Sequence, residues 1–317
     1  MNSLIIPVYK NAESIPQLID VLKEISERVS DLEVVFVVDG SPDRSAELLL
    51  DLLPLSGLRA QLLLLSRNFG SFAAIRAGLK AARGARFAVM AADLQEPPEL
   101  MITFFNILEN EPYDLVIGTR ESRNDPFFSR LASMMFWRLY KKFVVPEIPQ
   151  GGVDVFACSL VFRNQLLHLD ESHSSLVALL FWMGFRRKEV SYVRRAREHG
   201  RSAWTFKKKY VYFKDSVFSF TDLPIKMLTW AGVLGMIFSL TMASAVTLTK
   251  LTGWVEVPGY AATILTIIFF GALNLFGLGI IGKYAWRTYE NTKKRPSALI
   301  MSQRNFDAVC ENKPELQ

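Results

Sequence analysis

The sequence predicts an α/β domain built on a doubly wound sheet, followed by a membrane module. Short apolar runs alternate with segments of helical spacing in the first part of the chain, and polar residues directly follow several of those runs. Two long uncharged runs lie nearer the C terminus. Half of the 317 residues are hydrophobic, which is enough for one sizeable core and a membrane segment.

The alternation of elements sets the fold class. The short apolar runs are typical of buried parallel strands, and they are Ser3–Val8, Glu33–Val38, Ala60–Ser66, Arg86–Ala91 and Asp114–Gly118. The segments with helical spacing are Ala12–Val29, Asp43–Leu53, Phe69–Arg83 and Pro98–Glu109. This order predicts a doubly wound sheet, in which ligands bind beyond the carboxyl ends of the strands. The predicted site-forming loops are therefore Pro7–Tyr9, Asp39–Ser41, Ser66–Gly70 and Ala92–Gln95.

Two uncharged runs predict membrane spans. Met227–Thr249 has 23 residues and Val257–Gly282 has 26, none of them charged. As helices each would reach about 35 Å or more, which exceeds the ~30 Å hydrocarbon core of a bilayer. A buried helical hairpin in a soluble core is the alternative, but two adjacent uncharged runs of this length are rare outside membranes.

Basic residues flank the two runs on their outer sides and predict the orientation. They are Lys207, Lys208, Lys209, Lys214, Lys226, Lys283, Arg287, Lys293, Lys294 and Arg295. Between the runs the charged residues are Lys250 and Glu256. The positive-inside rule then places both termini in the cytosol and the loop Leu251–Gly259 outside.

An aromatic face precedes the first run. Phe206, Tyr210, Phe213, Val217 and Phe220 follow one another at spacings of three and four and share one helical face beside lysines. Such a helix can lie in the membrane interface or can face a protein core. We favour the interface because the segment leads directly into a predicted span.

Overall charge and cysteine content indicate which partners and which compartment suit the protein. The chain carries 37 Lys and Arg against 31 acidic residues, an excess that suits anionic lipid headgroups or phosphorylated substrates. Nucleic acid is disfavoured because the basic residues cluster beside apolar segments. Two distant cysteines, Cys158 and Cys310, predict no disulfide framework and fit a reducing compartment.

Three motifs stand at predicted strand ends. Asp39 and Gly40 could serve a base or ribose, although Asp-Gly is also an ordinary turn. Ser66–Gly70 could present Arg67 and backbone N–H groups at a helix N terminus to phosphate, or could simply be a capped turn. Asp93 and Gln95 follow the fourth strand, where a carboxylate could hold Mg²⁺ together with substrate phosphate oxygens.

Together these motifs resemble the family 2 glycosyltransferases, and most closely the branch that acts on polyprenyl phosphates. The residues that carry the resemblance are Ile6–Glu13, Asp39–Asp43, Arg67–Gly70, Asp93–Pro98, Arg197–Ser202 and Tyr289–Pro296. The resemblance implies a GT-A catalytic domain over 1–203, an interfacial helix region over 204–225, two transmembrane helices over 226–283 and a cytosolic tail over 284–317.

The resemblance also implies roles for individual residues. Asp93 would hold Mg²⁺ or Mn²⁺ on the donor diphosphate, and Asp154 would face the sugar or the acceptor as a second catalytic residue. The residues implied for donor binding are Pro7, Tyr9, Glu13, Asp39, Arg67 and Gln95. The acceptor phosphate would be held by Arg197, Ser202, Lys207, Lys208 and Lys209, and Phe213 would contact its lipid chain.

Two positions depart from the family pattern. The family usually has an acid at the position of Ala91, two residues before Asp93, and a second acid where Val38 stands before Asp39. One metal carboxylate is therefore missing. Three interpretations remain open: the metal depends on Asp93 plus diphosphate oxygens, it binds weakly, or the chain carries a changed residue.

The function implied by the resemblance is transfer of one sugar, with inversion, from a nucleotide-sugar to polyprenyl phosphate in the bacterial inner membrane. UDP-glucose is the favoured donor, with GDP-mannose as the alternative. A non-catalytic scaffold with a decayed transferase fold is a further alternative, which Ala91 favours. A processive polysaccharide synthase is disfavoured, because the chain lacks a Gln-x-x-Arg-Trp motif and two spans are too few for a polymer channel. Expected partners are the bilayer, a downstream flippase and a transferase that uses the lipid-linked sugar, and a homo-oligomer is left open.

Overall fold

The structure, a computed structural model, describes residues 1–120, 138, 141, 145–149, 153, 155–169, 171, 174–195, 214–252 and 259–307. The strands are β1 (Asn2–Val8), β2 (Leu32–Val38), β3 (Ala60–Leu65), β4 (Arg86–Val89), β5 (Leu115–Arg120), β6 (Phe156–Ser159), β7 (Arg187–Tyr192) and β8 (Ile300–Phe306). The helices are α1 (Ile15–Arg28), α2 (Ser45–Ser56), α3 (Ser71–Ala81), α4 (Pro98–Asn110), α5 (Leu160–His168), α6 (Leu176–Trp182), α7 (Leu223–Leu251) and α8 (Tyr260–Thr292).

The eight strands form one mixed sheet in the order β7-β5-β6-β4-β1-β2-β3-β8. Strands β1 to β4 are mutually parallel. Strand β6 runs antiparallel to both β4 and β5, and β7 is parallel to β5. Strands β4, β5 and β7 therefore point the same way, so their carboxyl ends lie on the same edge as those of β1, β2 and β3.

The predicted α/β class is confirmed, and the five predicted strands and four predicted helices all form, with ends that differ by a few residues. Helix α1 shows why the helices could be predicted, because its buried residues repeat at helical spacing. They are Ile15, Leu18, Ile19, Leu22 and Ile25. Strands β6, β7 and β8 were not predicted. Two of them, β6 and β8, are antiparallel, so the sheet is mixed rather than wholly parallel.

Apolar side chains cover both faces of the sheet. Leu4, Ile6 and Phe36 belong to one buried cluster, while Ile5 and Val37, their neighbours on the same strands, belong to the other. This alternation follows the two-residue period of a strand and explains why both faces carry helices. The sheet behind the carboxyl edge is therefore packed on both faces.

A buried carboxylate ties the central strands together. Glu33 of β2 is 1% exposed and accepts hydrogen bonds from Ser3 Oγ at 2.9 Å, from Gln61 Nε2 at 2.7 Å and from the Arg83 N–H at 2.9 Å. The same Gln61 accepts a bond from Gln303 Nε2 of β8 at 2.9 Å. A buried charge with several donors is well compensated. The chain beyond the membrane segment therefore returns to the sheet, although 284–317 was predicted to be a tail.

Helices α7 and α8 are long and apolar enough to span a membrane, over Leu223–Thr249 and Thr266–Thr292. Their large apolar side chains face outward, for example Leu234 at 63%, Phe269 at 63% and Leu275 at 72% exposure. A helix in a soluble core would bury such residues. The exposure favours membrane spans over the buried hairpin considered above.

The junction between the sheet domain and these helices is held by Arg287 of α8. Its guanidinium donates to Asp215 Oδ1 at 2.6 Å and to Ser219 Oγ at 2.6 Å, and Arg287 is only 8% exposed. Asp215 and Ser219 lie in the helical segment 214–220, where Val217 is buried in a core cluster. The described end of the aromatic face therefore packs on protein, while Phe206, Tyr210 and Phe213 lie outside the described residues.

Candidate functional site

The candidate site lies at the carboxyl edge of the sheet. The loops after β1, β2, β3, β4 and β7 all leave from this edge, because those strands point the same way. Ligands of open α/β sheets bind at such an edge. The chemistry of the site therefore depends on two sets of side chains. One set holds the loops together, and the other faces solvent.

Asp43 joins the loop after β1 to the loop after β2. Its Oδ1 accepts from the hydroxyls of Ser41 and Ser45, and its Oδ2 accepts from the Ala12 N–H at 3.0 Å. Ser41 Oγ in turn accepts from the Lys10 N–H at 2.8 Å. Burial raises the pKa of this carboxyl, but the hydrogen bonds from Ser41, Ser45 and the Ala12 N–H outweigh it, so the pKa of Asp43 lies below its ordinary value.

Asp43→Asn is expected to destabilise the domain by about 1–3 kcal/mol near neutral pH, because an amide cannot accept all these bonds. Since the folded pKa is lowered, the carboxylate contributes fully above the unfolded pKa of about 4, and the contribution is lost as pH falls through the folded value. Thermal melts of both proteins from pH 7 to pH 3 should therefore converge on the acid side. Asp20→Asn serves as the control, since Asp20 is 77% exposed beside Lys23. A difference between Asp43→Asn and the parent that grows towards low pH would contradict this assignment.

Asp39 is buried and bonds to the backbone of the next loop. It is 2% exposed; its Oδ1 accepts from the Phe69 N–H at 2.7 Å and its Oδ2 from the Gly70 N–H at 2.8 Å. Asn68 Nδ2 also donates to the Asp39 carbonyl at 3.3 Å. The carboxylate therefore caps the start of α3 and complements its dipole.

Two alternatives were left open for the loop before α3, a phosphate contact and a capped turn. The N–H groups of Phe69 and Gly70 are occupied by Asp39, which favours the capped turn for these two groups. Arg67 itself is exposed, with its guanidinium 4.2 Å from the Phe69 ring centre. A cation held on an aromatic ring at the site edge remains suited to a phosphate.

Asp93 lies in a tight turn after β4. Leu94 has a φ of +56°, and the Gln95 N–H approaches Asp93 Oδ1 at 3.4 Å. Glu96 is 2% exposed and accepts from the Ala91 N–H at 3.2 Å, and Ser14 Oγ donates to the Ala92 carbonyl at 2.9 Å. The turn is thus fixed on both sides, which leaves the partly exposed carboxylate of Asp93 at the edge.

Gln95 bonds to the loop after β7 and is 9% exposed. Its Oε1 accepts from a terminal nitrogen of Arg194, its Nε2 donates to the Arg195 carbonyl at 3.3 Å, and its own carbonyl accepts from the Arg195 N–H at 2.9 Å. We call these three hydrogen bonds the Gln95–Arg194 clasp. Sequence analysis placed Gln95 beside the metal but did not single out Arg194.

The other predicted donor residues sit at the end of β1. Pro7 and Tyr9 are half-buried there, and Glu13 is exposed just before α1. The remaining predicted site residues lie outside the described part of the chain, and they are Asp154, Arg197, Ser202, Lys207, Lys208, Lys209 and Phe213. The described neighbours of Asp154, Val153 and Val155, are buried, and β6 starts one residue later at the site edge.

Comparison with known proteins identifies the family of this chain. Residues 3–169 match the family described as Glycosyl transferase family 2. The CsbB protein of Bacillus subtilis is 35% identical over 94% of this chain and 90% of its own length. An uncharacterized glycosyltransferase of Synechocystis is 33% identical over 94% of each chain, and a bactoprenol glucosyl transferase of Shigella phage SfX is 28% identical over 95% of this chain and 99% of its own.

The chain belongs to glycosyltransferase family 2. The GT-A class and the enzymatic assignment predicted from the motifs are thereby confirmed. The family match ends at residue 169, directly after α5, so it includes β1 to β6 and the loops at the carboxyl edge that follow β1, β2, β3 and β4.

A divalent metal in this glycosyltransferase would find few protein ligands among the residues that the structure describes. Among the described residues no group of three or more His, Cys, Asp or Glu side chains could hold a metal ion. Asp93 offers one carboxylate, Ala91 offers none, and the Gln95 amide is committed to the loop after β7. This set fits Mg²⁺, which often takes one or two carboxylates and completes its shell with water and phosphate oxygens.

Sequence reasoning missed Ser14, Asp43 and Arg194 as parts of the site scaffold. The signal for Asp43 was present, because Ser41, Asp43 and Ser45 alternate in a loop and such side chains commonly bond to nearby backbone. No local signal marked Arg194, because its position depends on β7 pairing with β5. Pairing between strands that are distant in the sequence leaves no signal in a short local pattern.

Proposed function

We propose that this chain transfers one sugar, with UDP-glucose as the first candidate donor, to polyprenyl phosphate with inversion at the anomeric carbon. The observation that carries the proposal is the full-length similarity to bactoprenol glucosyl transferases, which covers 94–95% of this chain and includes both apolar helices. A lipid-linked acceptor also accounts for joining a glycosyltransferase domain to two membrane helices.

The chemistry requires little from the protein at the acceptor. A phosphate oxygen of the lipid forms the new bond to the anomeric carbon, and the bond from that carbon to the nucleotide diphosphate breaks, with its electron pair leaving on the diphosphate. Because the acceptor phosphate is already anionic, a general base is not obligatory. Asp154 is proposed to orient the sugar or acceptor rather than to accept a proton.

The departing diphosphate is where stabilisation is needed. We assign Asp93 to hold a divalent cation there; when bound, Mg²⁺ or Mn²⁺ would neutralise the charge that develops on the leaving group. Arg67 adds an exposed cation at the same edge. Pro7, Tyr9 and Glu13 are proposed to line the nucleoside, whereas Asp39 is proposed to act from behind by fixing the loop of Arg67.

The acceptor side is assigned to the segment after β7. Arg197 and Ser202, with Lys207, Lys208 and Lys209, are proposed to hold the lipid phosphate, because arginine pairs with phosphate in a bidentate manner. Phe213 is proposed to contact the lipid chain. A flippase and a transferase that uses the lipid-linked sugar would act downstream, since the product is an activated lipid.

A donor screen tests the proposal. The purified protein in detergent is given undecaprenyl phosphate with UDP-glucose, GDP-mannose or a modified UDP-sugar, and the lipid fraction is analysed by mass spectrometry. A glucosylated lipid phosphate is expected with UDP-glucose. A product only with GDP-mannose would support the alternative donor. Release of nucleotide without any lipid product would contradict transfer to polyprenyl phosphate and indicate hydrolysis or a different acceptor. No reaction with any donor would favour the non-catalytic scaffold.

The proposed topology places both termini in the cytosol and 251–259 outside the bacterial inner membrane. It rests on the basic flanks of the two apolar helices. Trp254→Cys is therefore expected to react with a membrane-impermeant maleimide in spheroplasts. Ser302→Cys, in β8, serves as the cytosolic control and should react only after lysis. Labelling of the Trp254→Cys variant only after lysis would show that the topology is wrong.

A further inference from the structure

The loop after β4 and the loop after β7 are joined side by side. Strand β4 lies three places from β7 in the sheet, with β6 and β5 between them. The Gln95–Arg194 clasp nevertheless joins the two loops. Arg195 adds a looser ion pair to Glu99 of α4 at 3.9 Å. The two loops therefore touch at the carboxyl edge, although the strands that they follow are not neighbours in the sheet.

Arg194 and Arg195 make this contact in different ways. Arg194 uses its side chain, which is half-buried and has its Nε buried without a hydrogen-bond partner among the described residues. Arg195 uses its backbone N–H and carbonyl, while its side chain is 55% exposed. A charge-assisted bond in a partly desolvated place is stronger than one on the open surface. The Arg194 side chain is thus the specific element of the clasp.

The clasp joins the two halves of the proposed reaction centre. On one side Gln95 shares a turn with Asp93, which is assigned to the donor metal. On the other side the chain continues directly from Arg195 into the segment that carries Arg197 and Ser202, assigned to the acceptor phosphate. Transfer depends on the distance and angle between donor and acceptor, and a misplacement of about 1 Å can cost 10²-fold in rate.

We propose that Arg194 is a positioning residue for sugar transfer, which through Gln95 fixes the acceptor-binding segment relative to the donor turn. The proposal rests on the proposed function, because it takes Asp93 as the donor side and Arg197 as the acceptor side. Arg194 acts through Gln95 and not by contact with the donor diphosphate.

The neighbouring arginine provides a matched control. Arg194→Ala is expected to raise the KM for undecaprenyl phosphate about 10- to 100-fold and to leave the Kd for UDP with Mg²⁺ unchanged. Arg195→Ala removes the same charge one residue away but keeps the backbone bonds, so its KM should stay near that of the parent. Kinetics with varied acceptor and calorimetry with UDP measure the two quantities.

A double-mutant cycle tests the link to Gln95. If the two side chains act through each other, Gln95→Ala combined with Arg194→Ala should raise the acceptor KM no more than the larger single effect. Gln95→Glu retains an oxygen for Arg194 and should stay closer to the parent than Gln95→Ala. Additive effects, an equal defect in Arg195→Ala, or a raised Kd for UDP in Arg194→Ala would each overturn the positioning role.

Hydrogen exchange provides a readout that does not depend on the assay substrates. Amides in the peptide 193–203 are expected to exchange faster in Arg194→Ala than in Arg195→Ala, because only the former loses a hydrogen bond of the clasp. Equal exchange in the two variants would overturn the clasp. If the parent protein transfers no sugar but the exchange difference is present, the proposed function fails while the clasp stands.

Discussion

Asp93→Asn is expected to lower the turnover of sugar transfer by about a thousandfold or more, which corresponds to a loss of about 4 kcal/mol of transition-state stabilisation. The substitution keeps the size of the side chain and removes the carboxylate that the described part of the chain offers to a metal at the end of β4. The fold should be retained, because Asp93 is partly exposed and an asparagine side-chain oxygen can still accept from the Gln95 N–H, which approaches Asp93 Oδ1 at 3.4 Å. Initial rates with UDP-glucose and undecaprenyl phosphate measure the effect.

Glu99→Gln is the matched control for Asp93→Asn. It removes the same charge from the first turn of α4, where the Glu99 side chain is 57% exposed, and its turnover should remain near that of the parent. Turnover of Asp93→Asn within a few-fold of the parent, or full activity of the parent in excess chelator, would show that Asp93 holds no essential metal.

The scarcity of protein ligands has a measurable consequence for binding. With Asp93 as the one carboxylate that the described strand ends offer, we expect most of the metal shell to come from diphosphate oxygens and water. Metal alone should bind weakly, and metal and UDP should each strengthen the binding of the other by the same factor. Titration of Mn²⁺ with and without UDP tests this.

Ala91→Asp separates the interpretations of the missing acid. The new carboxylate would lie two residues before Asp93, in the turn where the Ala91 N–H donates to the buried Glu96 at 3.2 Å. A further carboxylate in a turn that already holds Asp93 and Glu96 adds like-charge repulsion unless a cation is present. We expect tighter Mn²⁺ binding and lower stability without metal. A rise in turnover would indicate that Ala91 is a lesion, and unchanged turnover would indicate an adaptation.

The elements that sequence analysis predicted are those with a strong local pattern. Strand β2 is buried at every position and α1 repeats its buried residues at helical spacing, so each could be identified without its neighbours. Strand β8 is mostly exposed, and β6 has only four residues. An exposed edge strand and a very short strand carry little hydrophobic periodicity, and their formation depends on partners distant in sequence.

The loops that sequence analysis singled out lie at the carboxyl edge of the sheet, but the hydrogen bonds that join them were not predicted. Strand ends located Asp39, Arg67 and Asp93, because ligand loops follow from the strand direction. Whether a carboxylate at such an end faces a ligand or a neighbouring backbone depends on how two loops meet. The Asp39 carboxylate bonds to the neighbouring backbone, because two N–H groups at the start of α3 lie within 2.8 Å of its oxygens.

Gly40→Ala is expected to have the largest effect on stability, at about 3 kcal/mol or more. Gly40 has a φ of +54°, and a Cβ there would lie 2.3 Å from the Arg67 carbonyl carbon and 2.5 Å from the Asn68 nitrogen. Both atoms belong to the backbone of the loop that Asp39 caps, so relief requires the two loops to separate. The melting temperature in detergent should fall by roughly 6–12 °C, and UDP binding should weaken because the donor loops move.

Gly57→Ala isolates the conformational part of this effect. Gly57 ends α2 with a φ of +72°, and a Cβ there would meet nothing within 4 Å. Its substitution should cost only about 1–2 kcal/mol for the left-handed conformation and should leave UDP binding unchanged. The difference between the two variants therefore measures the contact between the Asp39 loop and the Arg67 loop. Equal loss of melting temperature in both, with UDP binding intact in Gly40→Ala, would show that the two loops do not depend on this close approach.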